Sequence, residues 1–197
     1  MDSPRRDLGA CGHLRALDPR ARTHFRLVDI ADAAFIFDLR QDAAIGRYLN
    51  KPAPSVADQA RWIEAYKSRE RRGEDFYFVI MHEGRRRGLI RLYDIRSFEG
   101  RDSFSWGSWI IPPPPVPGLA SYSALAIYEI GFSGLGFDQS HFDVRKGNTK
   151  VLGFHTGTGA TVVSEDAENF YFVFERERYA RLLADKADAV RHHGAIL

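Results

Sequence analysis

Four consecutive prolines, Pro112, Pro113, Pro114 and Pro115, with a fifth at Pro117, set the strongest local constraint on this chain. Proline fixes φ and carries no N–H, so this segment fits neither a helix interior nor a central strand. The aromatic, strand-like run over 102–111 must therefore end there. A new helical pattern then starts just past Gly118, with Leu125, Tyr128, Phe132 and Leu135 at helical spacing. The donors left between strand and helix are the amides of Val116, Gly118, Leu119, Ala120 and Ser121. Four of these five sit at the helix start, where the first N–H groups are unpaired and the helix dipole favours an anion. Two readings follow, a phosphate-binding mouth or a stiff turn without a ligand.

The rest of the chain supplies a sheet for that unit. "HFRLVDIADAAFIFDLRQ" reads as a strand and then a helix with Asp29 as N-cap. Ser55 and Asp58 form a capping pattern for a second helix, which Gly73 ends. Three aromatic-rich strands are expected over 75–84, 86–95 and 102–111, joined by short Gly-containing turns and so antiparallel. After the helix behind Gly118 come a strand at "SHFDVR", a short helix opened by Asn148, two strands around a polar turn, and a terminal helix. The order β-α-α-β-β-β-α-β-α-β-β-α predicts an α/β (α+β) fold with a mixed sheet covered by helices.

Bulk properties narrow the function. At 197 residues, with 44% hydrophobic and 27% charged residues, the chain suits one globular domain, expected over 23–190. A net charge of +2 does not suggest a nucleic-acid partner. No apolar run approaches the roughly 20 residues of a membrane span. Cys11 is the only cysteine, so no internal disulfide and no cysteine zinc site can form, which fits a reducing cytoplasm. Residues 1–22 are arginine-rich and poor in large apolar groups, and are expected to form a loose basic arm, with 191–197 a tail. Metal binding is not expected: His192 and His193 are adjacent, and His82-Glu83 lacks a second histidine at helical spacing. A G-x-S-x-G nucleophile elbow is missing as well.

Two segments, Trp109-Ile110-Ile111 followed by Gly118-Leu119-Ala120, and "FDVRKGNTKVLGFHTGTGA" (142–160), resemble the GNAT family of acetyl-CoA-dependent N-acetyltransferases. The resemblance covers about 23–178 and is strongest to the branch of ribosomal-protein N-terminal and amino-sugar acetyltransferases. It implies a twisted sheet of six or seven strands with helices on both faces and a gap between the fourth and fifth strands. It further implies acetyl-CoA as cosubstrate, no metal, and a monomer or homodimer without nucleic-acid or membrane partners. The family's pyrophosphate pattern, (Gln/Arg)-x-x-Gly-x-(Gly/Ala), falls on Gly118 and Ala120, but its leading position holds Pro115.

The cofactor residues so implied are Trp109, Ile110, Ile111, Val116, Gly118, Leu119, Ala120, Ser121, Asn148, Lys150 and Phe154, with Arg145 and Lys146 flanking Asn148. An oxyanion donor is expected near Ile110. Asn148 fits equally well as a plain N-cap. His155 stands where the family often has a tyrosine that protonates the departing thiolate; an imidazole serves if it is charged or tuned upward. An attacking amine must be neutral, and the candidate bases are Asp94, Glu129 and Asp102, with desolvation expected to raise the pKa of whichever acts. Arg91, Tyr93, Trp106, Arg47 and Tyr48 are the candidate acceptor contacts. Trp106 and Trp109 differ by three, which on a regular strand places them on opposite faces. A nucleotide-linked amino sugar of surface-polysaccharide synthesis is the expected acceptor. A protein N-terminus, or a non-catalytic binding module on the same fold, is the alternative.

Overall fold

A computed structural model describes residues 6–42 and 51–194. Seven strands form one sheet: β1 (Thr23–Leu27), β2 (Phe76–His82), β3 (Arg85–Phe98), β4 (Arg101–Ile110), β5 (Gln139–Arg145), β6 (Thr161–Glu165) and β7 (Asn169–Glu175). The helices are α1 (Ala33–Gln41), α2 (Val56–Arg72), α3 (Leu119–Glu129), α4 (Thr149–Gly157) and α5 (Arg176–Val190). The strand order is β1-β2-β3-β4-β5-β7-β6. Every pairing is antiparallel except β4 with β5. No helix among the described residues is long and apolar enough to cross a membrane.

The apolar run of β2 shows why the sheet is covered twice. Phe76, Phe78 and Ile80 join a core that includes Tyr122, Leu125 and Tyr128 of α3 and Tyr179 and Leu182 of α5. The alternate residues Tyr77 and Val79 join Ile36 of α1 and Ile63 and Tyr66 of α2. Period-two alternation thus feeds two cores from one strand. The caps expected from sequence form: Asp29 and Asp32 make a reciprocal box, and Ser55 accepts from the Asp58 amide. Gly73 ends α2 at φ 75°, the left-handed conformation that glycine adopts without penalty.

The termini depart from expectation. Residues 6–22 do not hang loose: Cys11, Leu14 and Ala16 are fully or almost fully buried in the α3 core. Arg6 donates to the Leu135 carbonyl and to Asp102, and its guanidinium lies 4.5 Å from the centre of the Phe137 ring. Three leucines and one cysteine are enough apolar surface to bind a segment across a sheet edge, despite the arginines around them. At the other end, Arg191–His193 forms a 3-10 turn in which His193 is buried. The helix after Gly118 also differs, running as α only to Glu129 before a wider π turn over Ile130–Gly134. Gly131 there abuts Phe104 so closely that a Cβ would fall 2.3 Å from its ring.

Candidate active site

The sheet is nearly severed at its one parallel seam. β4 and β5 share only the pairs Ser103–Gln139 and Phe104–Ser140, whereas β5 and β7 share seven. Beyond Phe104 the two strands diverge, and the Ser105 hydroxyl caps the His141 carbonyl at the fork. A cavity of about 690 Å³ opens beside this fork, lined on one side by Trp106, Gly107, Ser108 and Trp109 and on the other by Phe142, Asp143, Val144 and Arg145.

β4 carries an extra residue at the mouth of the cavity. Between the pairs Leu89–Ile110 and Arg91–Gly107, β3 advances two residues and β4 three, with Ser108 at φ 46°. This bulge overturns the expectation that Trp106 and Trp109 face opposite sides, because the extra residue resets the alternation. Their rings meet edge to face at 5.4 Å, and both line the cavity. The Trp109 indole N–H donates to Ser123 Oγ at 2.9 Å, fastening the strand to α3. Ile110 lies beyond the bulge, its side chain in the α1–α2 core, so β4 lines the cavity only as far as Trp109.

The prolines end β4 and deliver the chain to α3. Val116 to Leu119 close a turn in which Leu119 N–H bonds the Val116 carbonyl at 3.1 Å, with Pro117 and Gly118 in the centre and Gly118 at φ 77°. Within the described residues the amides of Gly118, Ala120 and Ser121 have no acceptor. These unpaired donors, not the Leu119 amide, fit a phosphate at the helix mouth.

The second resembling segment lies across the fork. Asn148 lines the cavity and also caps α4, its Oδ1 accepting from Val151 N–H at 3.4 Å. The N-cap reading of Asn148 is therefore realised, at a residue that also faces the cavity. Arg145 and Lys146 are taken by Glu168 and Glu165, whereas exposed Lys150 has no carboxylate partner among the described residues. His155 lies at the floor of the cavity, 4.2 Å from the Phe142 ring and 5.4 Å from Trp106, with its Nδ1 lacking a partner. Burial among these rings pushes its pKa down to about 4, so the imidazole is neutral near pH 7. The condition that it be charged or tuned upward is not met.

The three carboxylates named from sequence lie elsewhere. Asp94 sits on a second bulge, in β3, at φ 48°. There it meets Arg96 and His141; burial alone would raise its pKa, but these partners hold it below the usual range. Glu129 is sealed against α5 beside Tyr179, and Asp102 pairs with Arg6. None of the three lines the cavity. Asp58 and Asp143 do.

Of the residues expected to contact an acceptor, Arg91, Tyr93 and Trp106 come together in the cavity, while Arg47 and Tyr48 lie outside the described residues. Arg91 Nε donates to Asp75 at 2.7 Å, and Arg69 reaches the same carboxylate at 2.9 Å. The Arg91 guanidinium lies between Trp62 and Tyr93, 5.3 and 4.9 Å from their ring centres. The Tyr93 hydroxyl overhangs Gly107, where a Cβ would meet it at 3.0 Å. Trp62 and Asp75 were not expected. The signals were a tryptophan four residues before Tyr66 on a polar helix, and a carboxylate opening an apolar strand. Among the described residues no cluster of histidine, cysteine, aspartate or glutamate is arranged to hold a metal.

A mixed sheet split at a single parallel seam, with unpaired helix-start amides beyond the strand at the split, defines a GNAT-fold acyltransferase. The chain belongs to the GNAT acetyltransferase family: the family model for the acetyltransferase (GNAT) domain matches residues 22–161. Among solved structures, FdhC, described as a nucleotide-linked sugar GNAT, is 43% identical, with 86% of this chain and 95% of that chain covered at a TM-score of 0.77. Spermidine N-acetyltransferase from Vibrio cholerae, solved with CoA and spermine, shares 19% identity over 81% of this chain and 98% of its own, at a TM-score of 0.68. Mycobacterium smegmatis RimJ, solved with CoA-disulfide, shares 15% over 84% and 89%, at 0.69. These two show the common fold. A comparison with curated protein sequences found no match.

Proposed function

We propose that this acyltransferase moves the acetyl group of acetyl-CoA to the primary amine of a nucleotide-linked amino sugar in the cytoplasm. The observation that carries the reading is the forked seam: it opens a cavity along the cofactor-type edge of β4, with Trp62, Arg91, Tyr93 and Trp106 in its wall. Aromatic faces and a fixed guanidinium suit a sugar ring and an anionic tether. The 43% identity to a nucleotide-linked sugar GNAT supports the same acceptor class.

Acetyl-CoA would supply an activated thioester. The amides of Gly118, Ala120 and Ser121 would bind its diphosphate, Lys150 would offer a cation to its phosphates, and Asn148 and the β4 edge over 107–109 would flank its arm. Neutral His155 would serve as a hydrogen-bond partner for the sulfur rather than as an imidazolium acid. Asp143, which lines the cavity as Asp94, Glu129 and Asp102 do not and lies free of the Ser55 and Arg61 contacts that hold Asp58, would take the proton from the acceptor amine, directly or through water. The amine nitrogen would bond the acyl carbon as the C–S bond breaks, and the second proton, lost from the attacking nitrogen, would pass directly or through water to the thiolate, which would leave as a thiol.

Thermal unfolding with acetyl-CoA, followed by mass spectrometry of products, tests this. A clear rise in Tm is expected at saturating acetyl-CoA. Acetylation of nucleoside-diphosphate amino sugars is expected over spermidine and N-terminal peptides. Absence of any shift, or preference for the polyamine or peptide, overturns the assignment.

A further inference from the structure

Through its one buried residue, His193, the 3-10 turn Arg191–His193 touches the phosphate-type mouth from behind. His193 Nε2 lies 2.7 Å from the Pro117 carbonyl, and its Nδ1 lies 2.9 Å from Thr23 Oγ1. Thr23 Oγ1 is in turn 2.7 Å from His82 Nδ1. Tyr122 packs its ring against His193 and donates its hydroxyl to the Thr23 carbonyl. Thr23, His82 and His193 are all buried.

The protons in this chain can be placed. A carbonyl only accepts, so His193 Nε2 carries the hydrogen. Burial lowers the pKa of both histidines, so both rings are neutral and His193 Nδ1 is bare. Thr23 must then donate to His193, and its oxygen accepts from His82 Nδ1–H. Each hydrogen is used once, in one direction, ending on Pro117.

Pro117 and Gly118 share a planar trans peptide in which C=O and N–H point opposite ways. Proline followed by a glycine at φ 77° and ψ −10° is a type II turn. Flipping that one peptide plane gives a type I turn, which glycine also accepts, and reverses both groups. The His193 bond exists only in the unflipped form. We propose that His193 is a positioning residue for the diphosphate of acetyl-CoA, pinning the Pro117–Gly118 peptide so that the Gly118 amide faces the ligand. This rests on the acetyl-CoA reading above.

Two isosteric variants separate loop positioning from packing. His193→Gln retains a donor near Nε2 and loses the Thr23 contact, whereas His193→Asn retains a group near Nδ1 and loses Pro117. Calorimetry with acetyl-CoA and steady-state kinetics are read together. His193→Ala and His193→Asn should raise the acetyl-CoA Kd and KM about fivefold to tenfold, the size of one hydrogen bond, with kcat at saturation within about twofold. His193→Gln should stay within about twofold of the unmodified protein. Equal losses in Gln and Asn, or wild-type affinity in Ala, overturn the proposal. Absence of acetyl-CoA binding by the unmodified protein overturns the cofactor reading instead. The Gly118 amide resonance in the ligand-free protein still judges the pin: it should match wild type in Gln and move or split in Asn, and an unmoved resonance in Asn and Ala refutes it.

Discussion

The two sides of the proposed site are built from different material. On the side proposed for acetyl-CoA, recognition would rest on backbone: the amides of Gly118, Ala120 and Ser121 and the unpaired edge of β4 beyond Phe104. On the side proposed for the acceptor it would rest on side chains from separate elements: Trp62 from α2, Arg91 and Tyr93 from β3, Asp143 from β5. Backbone donors depend on chain path and hardly on residue identity. The mouth therefore keeps its geometry although Pro115 stands where the family pattern has glutamine or arginine. The acceptor flank has no such latitude. Arg91 holds its place because Asp75, almost fully buried, takes both Arg91 and Arg69.

The largest expected effect falls on that side-chain flank. Asp75→Asn leaves two arginines facing a neutral amide, and breaking a buried pair of this kind costs about 3–5 kcal/mol. Urea unfolding should show the loss, and the acceptor KM should rise more than the acetyl-CoA KM. Equal rises would erase the distinction between the flanks.

His155 lies at the seam. A folded pKa of about 4 against an unfolded value near 6.5 means the unfolded chain binds more protons between those values. Stability therefore falls as pH drops from about 6.5 to 4, by about 3 kcal/mol from this group. His155→Phe, in a pocket already lined by Phe142 and Trp106, should flatten that part of the pH profile of Tm, and an unchanged slope contradicts the assignment. At pH 7.5 the same variant should slow kcat while leaving acetyl-CoA affinity close to wild type.

On the backbone flank, Gly118→Val forces a β-branched residue into left-handed φ, costing about 1–2 kcal/mol. If the turn flips to relieve it, acetyl-CoA affinity drops about tenfold and the acceptor KM stays put. The smallest effect is a gain: Pro115→Arg supplies the missing side chain and should tighten acetyl-CoA binding about threefold to tenfold, as read by calorimetry. No change there would mean that backbone alone makes the mouth.

The same contrast explains what could be read from the sequence. Strand and helix positions followed from alternation, caps and glycines, and the family resemblance located both walls of the fork. The failures share one cause, local breaks in periodicity. The bulge at Ser108 brought Trp106 and Trp109 together, and the bulge at Asp94 moved that carboxylate out of the site. Neither bulge is marked by a glycine with positive φ, the usual sign in sequence; both residues take that conformation themselves. The acceptor wall was half legible. Arg91, Tyr93 and Trp106 lie on strands whose pairing was foreseen, but Trp62, Asp75 and Asp143 converge only through tertiary packing. The N-terminal segment was misjudged because composition counts arginines, whereas docking depended on Cys11, Leu14 and Ala16.

The seam between β4 and β5 makes the sheet an unfinished object. With two ladder pairs holding its halves together, much of the edge on either side has hydrogen-bonding groups and no strand to meet them. A ligand with amide groups lying in the fork would complete the sheet as well as react in it. On the proposed function, loading the enzyme would in this sense be a last step of folding, and releasing product would oblige it to take part of its own architecture apart at every turnover.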